Sequence, residues 1–147
     1  MTTVVCNRKE MACDLQMTQD GWLKWKCKTK IFRINDSSAF PDNFLVGFSG
    51  TAGDMMDAAD YFMHPENYKK VPAINSNGLV LTDKGIIYHF TKLDKWYQFD
   101  TPYAAIGSGG SVALGAMELG ATPVEAIKVA MKHDAFTGFG TKSYRWE

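Results

Sequence analysis

The sequence predicts an α+β layered sandwich, and three observations carry that prediction. Runs with strand character cluster together and do not alternate one for one with helices, which disfavours a doubly wound parallel sheet. Some runs are apolar on both faces and others alternate with period two, so both fully covered and half-covered strands are expected. Three stretches switch to helical spacing, each beginning at small or capping residues. With 147 residues, 46% of them hydrophobic and 22% charged, the chain suits one domain spanning 1–147. A chain of this size buries roughly 70% of its unfolded surface.

The elements follow in order. Thr2 to Asn7 and Glu10 to Met17 are short β-rich runs separated by Arg8 and Lys9, and they read as a hairpin. Val4 and Val5 are apolar on opposite faces of the first strand, so that strand is expected to be covered on both sides. WLKWKCKTK alternates Leu23, Trp25 and Cys27 against Lys24, Lys26 and Lys28, the period of a half-buried strand. KIFRI reads as the next strand, NDSSAFPDN as a loop, and FLVGFSG as a buried strand running into glycine.

From Thr51, Met55, Ala58, Ala59 and Phe62 recur at helical spacing until Pro65, and the segment from Asn67 to Asn77 is polar and irregular. GLVLT and GIIYHF flank a turn at Asp83 to Gly85 and form a second expected hairpin. WYQFD and YAAIG are expected as a strand pair or one bent strand before the helix of GSGGSVALGAMELG, which Gly120 can cap. Thr122, Pro123 and Glu125 supply an N-cap, a favoured first helical residue and a capping-box partner for the last helix, and TKSYRWE closes the chain as a strand.

Composition narrows the function. The formal net charge is +0, so no long-range field favours nucleic acid or an anionic membrane. Lysines interleaved with aromatics around Trp25 are read as a solvated face, not a nucleic-acid platform. No apolar run approaches a membrane span, and no charged segment precedes an apolar run near the start, so a cytoplasmic protein without a leader is expected. Cys6, Cys13 and Cys27 are odd in number and lack CxxC spacing, which argues for reduced thiols. They lie in apolar strand patterns, where inert buried thiols are usual, although a Cys/His nucleophilic pair stays open. His64, His89 and His133 show no metal-binding spacing, and IGSGGSVALGA lacks the lysine and Ser/Thr ending of a phosphate loop. No metal and no cofactor is expected.

The order of the remaining pieces is more telling. TTVV at the start, ACD, KIFRI, VGFSG entering a helix, AIGSGG entering another, and HDAFTGFG before a final strand resemble the proteasome β-subunit family of N-terminal-nucleophile peptidases, in particular its HslV-type members. The resemblance is specific at Thr2 to Asp14, Lys30 to Asp54 and Ala104 to Gly110, loose around Asp134 to Gly140, and poor between Asn67 and Gln98. It implies a four-layer helix, sheet, sheet, helix sandwich, with one helical layer shortened where the polar segment from Asn67 to Asn77 stands.

By the same resemblance, Thr2 would be the catalytic nucleophile once Met1 is removed, Lys30 the active-site lysine and Asp14 its partner. Gly47 would offer its amide to the oxyanion, and Ser108, Asp134 and Thr137 would support the nucleophile's end. The family usually has serine where Thr137 stands, and threonine can make the same hydrogen bond. Leu45 and Ser49 would lie on the substrate side, with Leu45 favouring cleavage after apolar residues. Implied partners are a peptide or unfolded-protein substrate, further copies in a homo-oligomeric ring, and a ring ATPase that unfolds and feeds substrates.

Chemistry makes this set coherent. A threonine hydroxyl needs an adjacent base, and the α-amine of the same residue, with a reference pKa of about 7.7 to 8.0, can serve. A nearby ammonium lowers the pKa of both amine and hydroxyl, and a buried ammonium needs a counter-ion, the task given to Asp14. Each residue also has a plainer reading. Lys30 shares parity with Lys24, Lys26 and Lys28 and fits a solvated lysine face, whereas a carboxylate flanked by Ala12, Cys13 and Leu15 demands a partner. Ser108 and Gly47 fit as packing residues. Two rival functions stand beside the peptidase: a catalytically silent relative used as a structural or assembly module, and an N-terminal-nucleophile amidase acting on a small amide.

Overall fold

The computed structural model describes residues 2–147. Met1, whose removal the nucleophile reading requires, lies outside them. In chain order the described elements are β1 (Thr3–Asn7), β2 (Glu10–Asp14), β3 (Gln16–Gln19), β4 (Leu23–Lys26), β5 (Ile31–Ile34), β6 (Phe44–Ser49) and α1 (Ala52–Met63). A 3-10 turn at Pro65–Asn67 follows, then β7 (Asn77–Thr82), β8 (Ile87–Lys92), β9 (Lys95–Phe99), β10 (Tyr103–Gly107), α2 (Gly110–Glu118), α3 (Pro123–His133) and β11 (Thr141–Arg145).

The strands form a four-stranded sheet in the order β10-β1-β2-β11, a five-stranded sheet in the order β5-β6-β7-β8-β9, and a separate β3-β4 hairpin. Every described pairing is antiparallel. The fold is therefore mixed α and β, with strands clustered as the sequence predicts.

Three apolar clusters hold it together, and the two-residue strand period decides which residue enters which. Val4, Cys6, Met11 and Cys13 project from the four-stranded sheet and meet Ile31, Leu45, Leu79, Leu81 and Ile87 of the five-stranded sheet. Val5 and Ala12 point the other way and meet Ala113, Met117, Ala126, Ile127 and Ala130 of α2 and α3. The expectation that β1 is covered on both faces thus holds. On the far face of the five-stranded sheet, Phe44, Val46, Phe48, Val80 and Phe90 pack with Met55, Ala58 and Phe62 of α1. Phe62 sits edge-on to Phe44 at 5.5 Å and to Phe90 at 5.7 Å. Each such buried side chain contributes roughly 1.5–3 kcal/mol of transfer free energy, and truncating Phe62 to alanine costs about 3–5 kcal/mol.

The helices start and stop for local reasons. Thr51 caps α1 by accepting from the Asp54 amide at 3.3 Å, and Pro65 follows its C-cap, His64. Thr122 and Glu125 cap α3 reciprocally, the capping box read from the sequence. Between Tyr68 and Ser76 there is neither helix nor strand, so α1 has only the 3-10 turn beside it.

Three expectations need correction. The run Glu10 to Met17 is not one strand: Leu15 breaks it, donating to the Gly138 carbonyl at 3.1 Å and accepting from the Cys27 amide at 2.8 Å, and β3 leaves the sheet. The alternating run around β4 is covered less evenly than expected: Leu23 and Cys27 are partly buried, with Cys27 packed at the cluster between the sheets, whereas Trp25 is 51% exposed. The segments WYQFD and YAAIG are neither a pair nor one bent strand; β9 and β10 are edge strands of different sheets.

Candidate active site

Lys30 enters β5 buried, not on a solvated lysine face: it is 2% exposed. Its ammonium carries three donors and finds three acceptors, the Asp14 carboxylate at 2.8 Å, the Gln16 carbonyl at 2.6 Å and the hydroxyl of Thr2. Asp14, the last residue of β2, is fully buried and saturated in turn. Its Oδ1 accepts from the Thr2 hydroxyl at 2.6 Å, the Thr3 amide at 3.0 Å and Lys30, and its Oδ2 from the Gln16 amide at 3.2 Å and the Gly138 amide at 3.0 Å. Burial of two charges this deep is tolerable only with such complete satisfaction. The break at Leu15 creates it, because leaving the sheet after Asp14 turns the Gln16 amide back onto the carboxylate.

A second polar group stands beside the Thr2 carbonyl. The hydroxyls of Ser108 and Thr137 each donate to Asp134 Oδ2 at 2.6 Å, and Thr137 also bonds Thr3 Oγ1 at 2.7 Å. Ser108 Oγ lies 3.4 Å from the Thr2 carbonyl oxygen. Burial alone would raise the pKa of Asp134, but the Ser108 and Thr137 hydroxyls and the Phe136 amide outweigh it and hold the carboxyl below the usual range. Gly107, at φ +95°, brings the chain against Thr2 so closely that a Cβ there would run into the Thr2 carbonyl.

The structure thus brings Thr2, Asp14, Lys30, Ser108, Asp134 and Thr137 together, from sequence positions spread over most of the chain. Thr2, Lys30, Ser49 and Ser108 line a cavity of about 1030 Å³, with apolar wall supplied by Met17, Trp25, Phe48, Met55 and Phe136.

Two predicted residues fall elsewhere. Leu45 is 1% exposed and packs in the cluster between the sheets, so it contributes no wall to the cavity. Gly47 lies mid-strand: its Cβ direction faces Val4 and Met11 in the core, and it is paired with Leu79. Because Phe48 donates to the Lys30 carbonyl at 3.2 Å, strand alternation turns the Gly47 amide the other way, into the ladder with β7.

Of the two glycines in VGFSG, the one at the cavity is Gly50, one residue before the α1 cap, past the last ladder bond. Its N–H has no acceptor among the described residues. VGFSG holds two glycines, and only counting back from the Thr51 cap selects the second. The hairpin wall was also missed, since Met17 and Trp25 carry no motif.

Burial disfavours the thiolate form of the cysteines. Burial pushes the Cys13 thiol up to about 12 and the Cys6 thiol higher still. The three cysteines are unpaired. Among the described residues no cluster of His, Cys, Asp or Glu is arranged to hold a metal ion, and no helix is long and apolar enough to cross a membrane.

No protein-family model and no curated protein matches the chain by sequence. Solved structures do match by shape. BPH from Thiobacillus denitrificans in complex with epoxomicin superposes with a TM-score of 0.73 at 19% identity, over 99% of both chains. HslV from Trypanosoma brucei gives 0.70 at 18% identity over 97% of both chains. The Anbu complex of Pseudomonas aeruginosa, a helical assembly, gives 0.73 at 8% identity over 99% of this chain and 81% of that one. At such low identity the likeness concerns the fold, and the fold of this chain is the HslV/proteasome-like N-terminal-nucleophile fold.

Proposed function

We propose that the protein is a threonine-type endopeptidase in which Thr2, freed by removal of Met1, is the nucleophile. The observation that carries this reading is the Thr2 hydroxyl held between the Asp14 carboxylate and the Lys30 ammonium at the wall of the cavity. Oγ1 attacks the scissile carbonyl while the α-amine of Thr2 takes its proton, and the ammonium of Lys30, paired with Asp14, lowers the pKa of both groups. The negative oxygen of the tetrahedral intermediate is bound by the Gly50 amide, a donor type worth about 100- to 1,000-fold in rate. Collapse expels the amine half of the substrate, which takes the proton from the α-amine, and leaves an ester on Thr2, which water hydrolyses. Ser108, Asp134 and Thr137 hold the Thr2 carbonyl and the Thr3 hydroxyl in place.

The apolar wall of Met17, Trp25, Phe48, Met55 and Phe136 supports cleavage beside large apolar side chains. Peptides or unfolded segments are the proposed substrates. By likeness to HslV and the assembled Anbu complex, the working form is a homo-oligomer, proposed as a ring fed by a ring ATPase. Three unpaired thiols support a reducing compartment such as the cytoplasm. The three apolar clusters support a helix, sheet, sheet, helix order of layers.

The test is the intact mass of the purified protein after incubation with a peptide epoxyketone, the chemical class of the epoxomicin held by BPH. Loss of Met1 and one probe mass per chain is expected, with Thr2→Ala taking up none and hydrolysing no peptide. Peptide cleavage by Thr2→Ala at the parent's rate would sink the mechanism. Retained Met1 with no probe uptake would turn the reading to an assembly module.

A further inference from the structure

Beneath Gly50 lies a short relay that the catalytic set does not use. The Thr51 amide donates to Ser76 Oγ at 3.0 Å, and that hydroxyl donates to Asp54 Oδ2 at 2.8 Å, which also accepts from the Asn75 amide at 2.8 Å. Thr51 and Asp54 are the N-cap and third residue of α1, the two positions of a capping box. In α3 the same positions hold Thr122 and Glu125, and the glutamate reaches the cap amide directly at 2.9 Å. Asp54 is one methylene shorter, and the Ser76 hydroxyl fills the gap. Ser76 is buried, and its side chain occupies the space where a Cβ on Gly50 would stand. It therefore does two things at one spot: it fixes the Gly50–Thr51 peptide through the Thr51 amide, and it walls the far side of Gly50. Gly50 itself sits at φ +143°, a conformation open to glycine and closed to residues that carry a Cβ.

Resting on the peptidase reading, we infer that Ser76 and Asp54 are positioning residues that aim the Gly50 amide at the oxyanion. The amide lies at the cavity end of β6, where the ladder no longer holds the backbone. Its direction is set by the neighbouring peptide, which the relay holds through the Thr51 amide. An amide swung off its target loses the transition-state bond and leaves ground-state binding in place.

The experiment compares the parent, Ser76→Ala, and Ser76→Ala combined with Asp54→Glu, on the full chain. Three quantities are read: peptide hydrolysis, affinity for a peptide boronate, whose tetrahedral adduct places an oxygen where the oxyanion forms, and affinity for the product peptide. Ser76→Ala is expected to lower kcat and boronate affinity together by about 10- to 100-fold, within the worth of one oxyanion donor, with product affinity and KM within about twofold. Adding Asp54→Glu restores the reach that Glu125 has in α3 and recovers much of the loss. Unchanged kcat and boronate affinity in Ser76→Ala overturn the proposal, as does an equal fall in product affinity, which marks general damage. Hydrogen exchange of the peptide containing Thr51 separates the two layers of the argument. Faster exchange in Ser76→Ala is expected, and equal exchange overturns the relay even if the parent proves an active peptidase. A parent that takes up no epoxyketone overturns the peptidase reading and the oxyanion role with it, whatever the exchange result.

Discussion

Asp134 takes hydrogen bonds from two hydroxyls and an amide, and this makes the end of α3 sensitive to acid. Its folded pKa lies below the reference value of 3.8, so the carboxylate's contribution to stability is fully present above that value. The contribution is lost as pH falls below about 3.8 and through the folded pKa. Asp134→Asn should therefore lose stability relative to the parent at pH 7, and the gap should narrow at pH 3, as read from urea midpoints at the two pH values. A gap that stays constant would mean that Asp134 does not titrate in this window. Leu45 makes the opposite case, a residue whose importance is packing. Leu45→Ala removes a side chain from the cluster between the sheets and should cost about 2–5 kcal/mol, while the ranking of peptide substrates by kcat/KM stays as in the parent. A reordered ranking would return Leu45 to the substrate pocket. Single-residue sequence reading succeeded where burial and charge conflict, as at Asp14, and failed where one residue type serves two ends. An apolar residue near a site fits core and pocket equally, and only the direction of its Cβ separates them.

The β3-β4 hairpin is the element whose pattern was legible and whose role was not. Alternation at Leu23, Trp25 and Cys27 reports a strand correctly, because it reflects the pleat, but it says nothing about what covers the apolar face. Trp25 stands half-exposed as part of the cavity wall. Trp25→Ala should thus leave the urea midpoint close to the parent's, within about 0.5 kcal/mol, and raise KM for peptides with large apolar residues several-fold. Equal KM for such peptides and for peptides with small residues, in parent and variant alike, would remove the hairpin from the site. Helix α1 was readable at both ends and α3 at its start because those signals are local: a cap, a proline, a reciprocal glutamate. Strand ends carry no such mark. Leu15 ends β2 through a bond to Gly138, more than a hundred positions away, and that partner cannot be read from its neighbours.

At the scale of the whole molecule, the two main sheets meet twice, once through apolar side chains and once through the buried charges. Asp14 ends a strand of the four-stranded sheet and Lys30 precedes the first strand of the five-stranded one, so their ion pair at 2.8 Å links the sheets as well as serving Thr2. The order of the site segments along the chain made this meeting legible in outline. The choice between Gly47 and Gly50 was not, because it depends on where the ladder of β6 ends. The double role has a measurable consequence. Lys30→Met should lower stability by roughly 3–5 kcal/mol, since it strands a buried carboxylate, and Asp14→Asn should cost a similar amount by stranding the ammonium. Combining them removes both charges, so the double variant should lose less than the sum of the singles, with a coupling of about 0.5–3 kcal/mol. Recovery stays incomplete, because an asparagine amide nitrogen cannot accept, and five donors converge on Asp14. Urea denaturation of the four proteins measures the cycle, and epoxyketone uptake in the same samples reads the site. Stability that partly returns in the double variant while uptake stays at zero would separate the pair's structural share from its catalytic one. Strict additivity of the two losses would instead mean that the sheets are joined by their apolar faces alone.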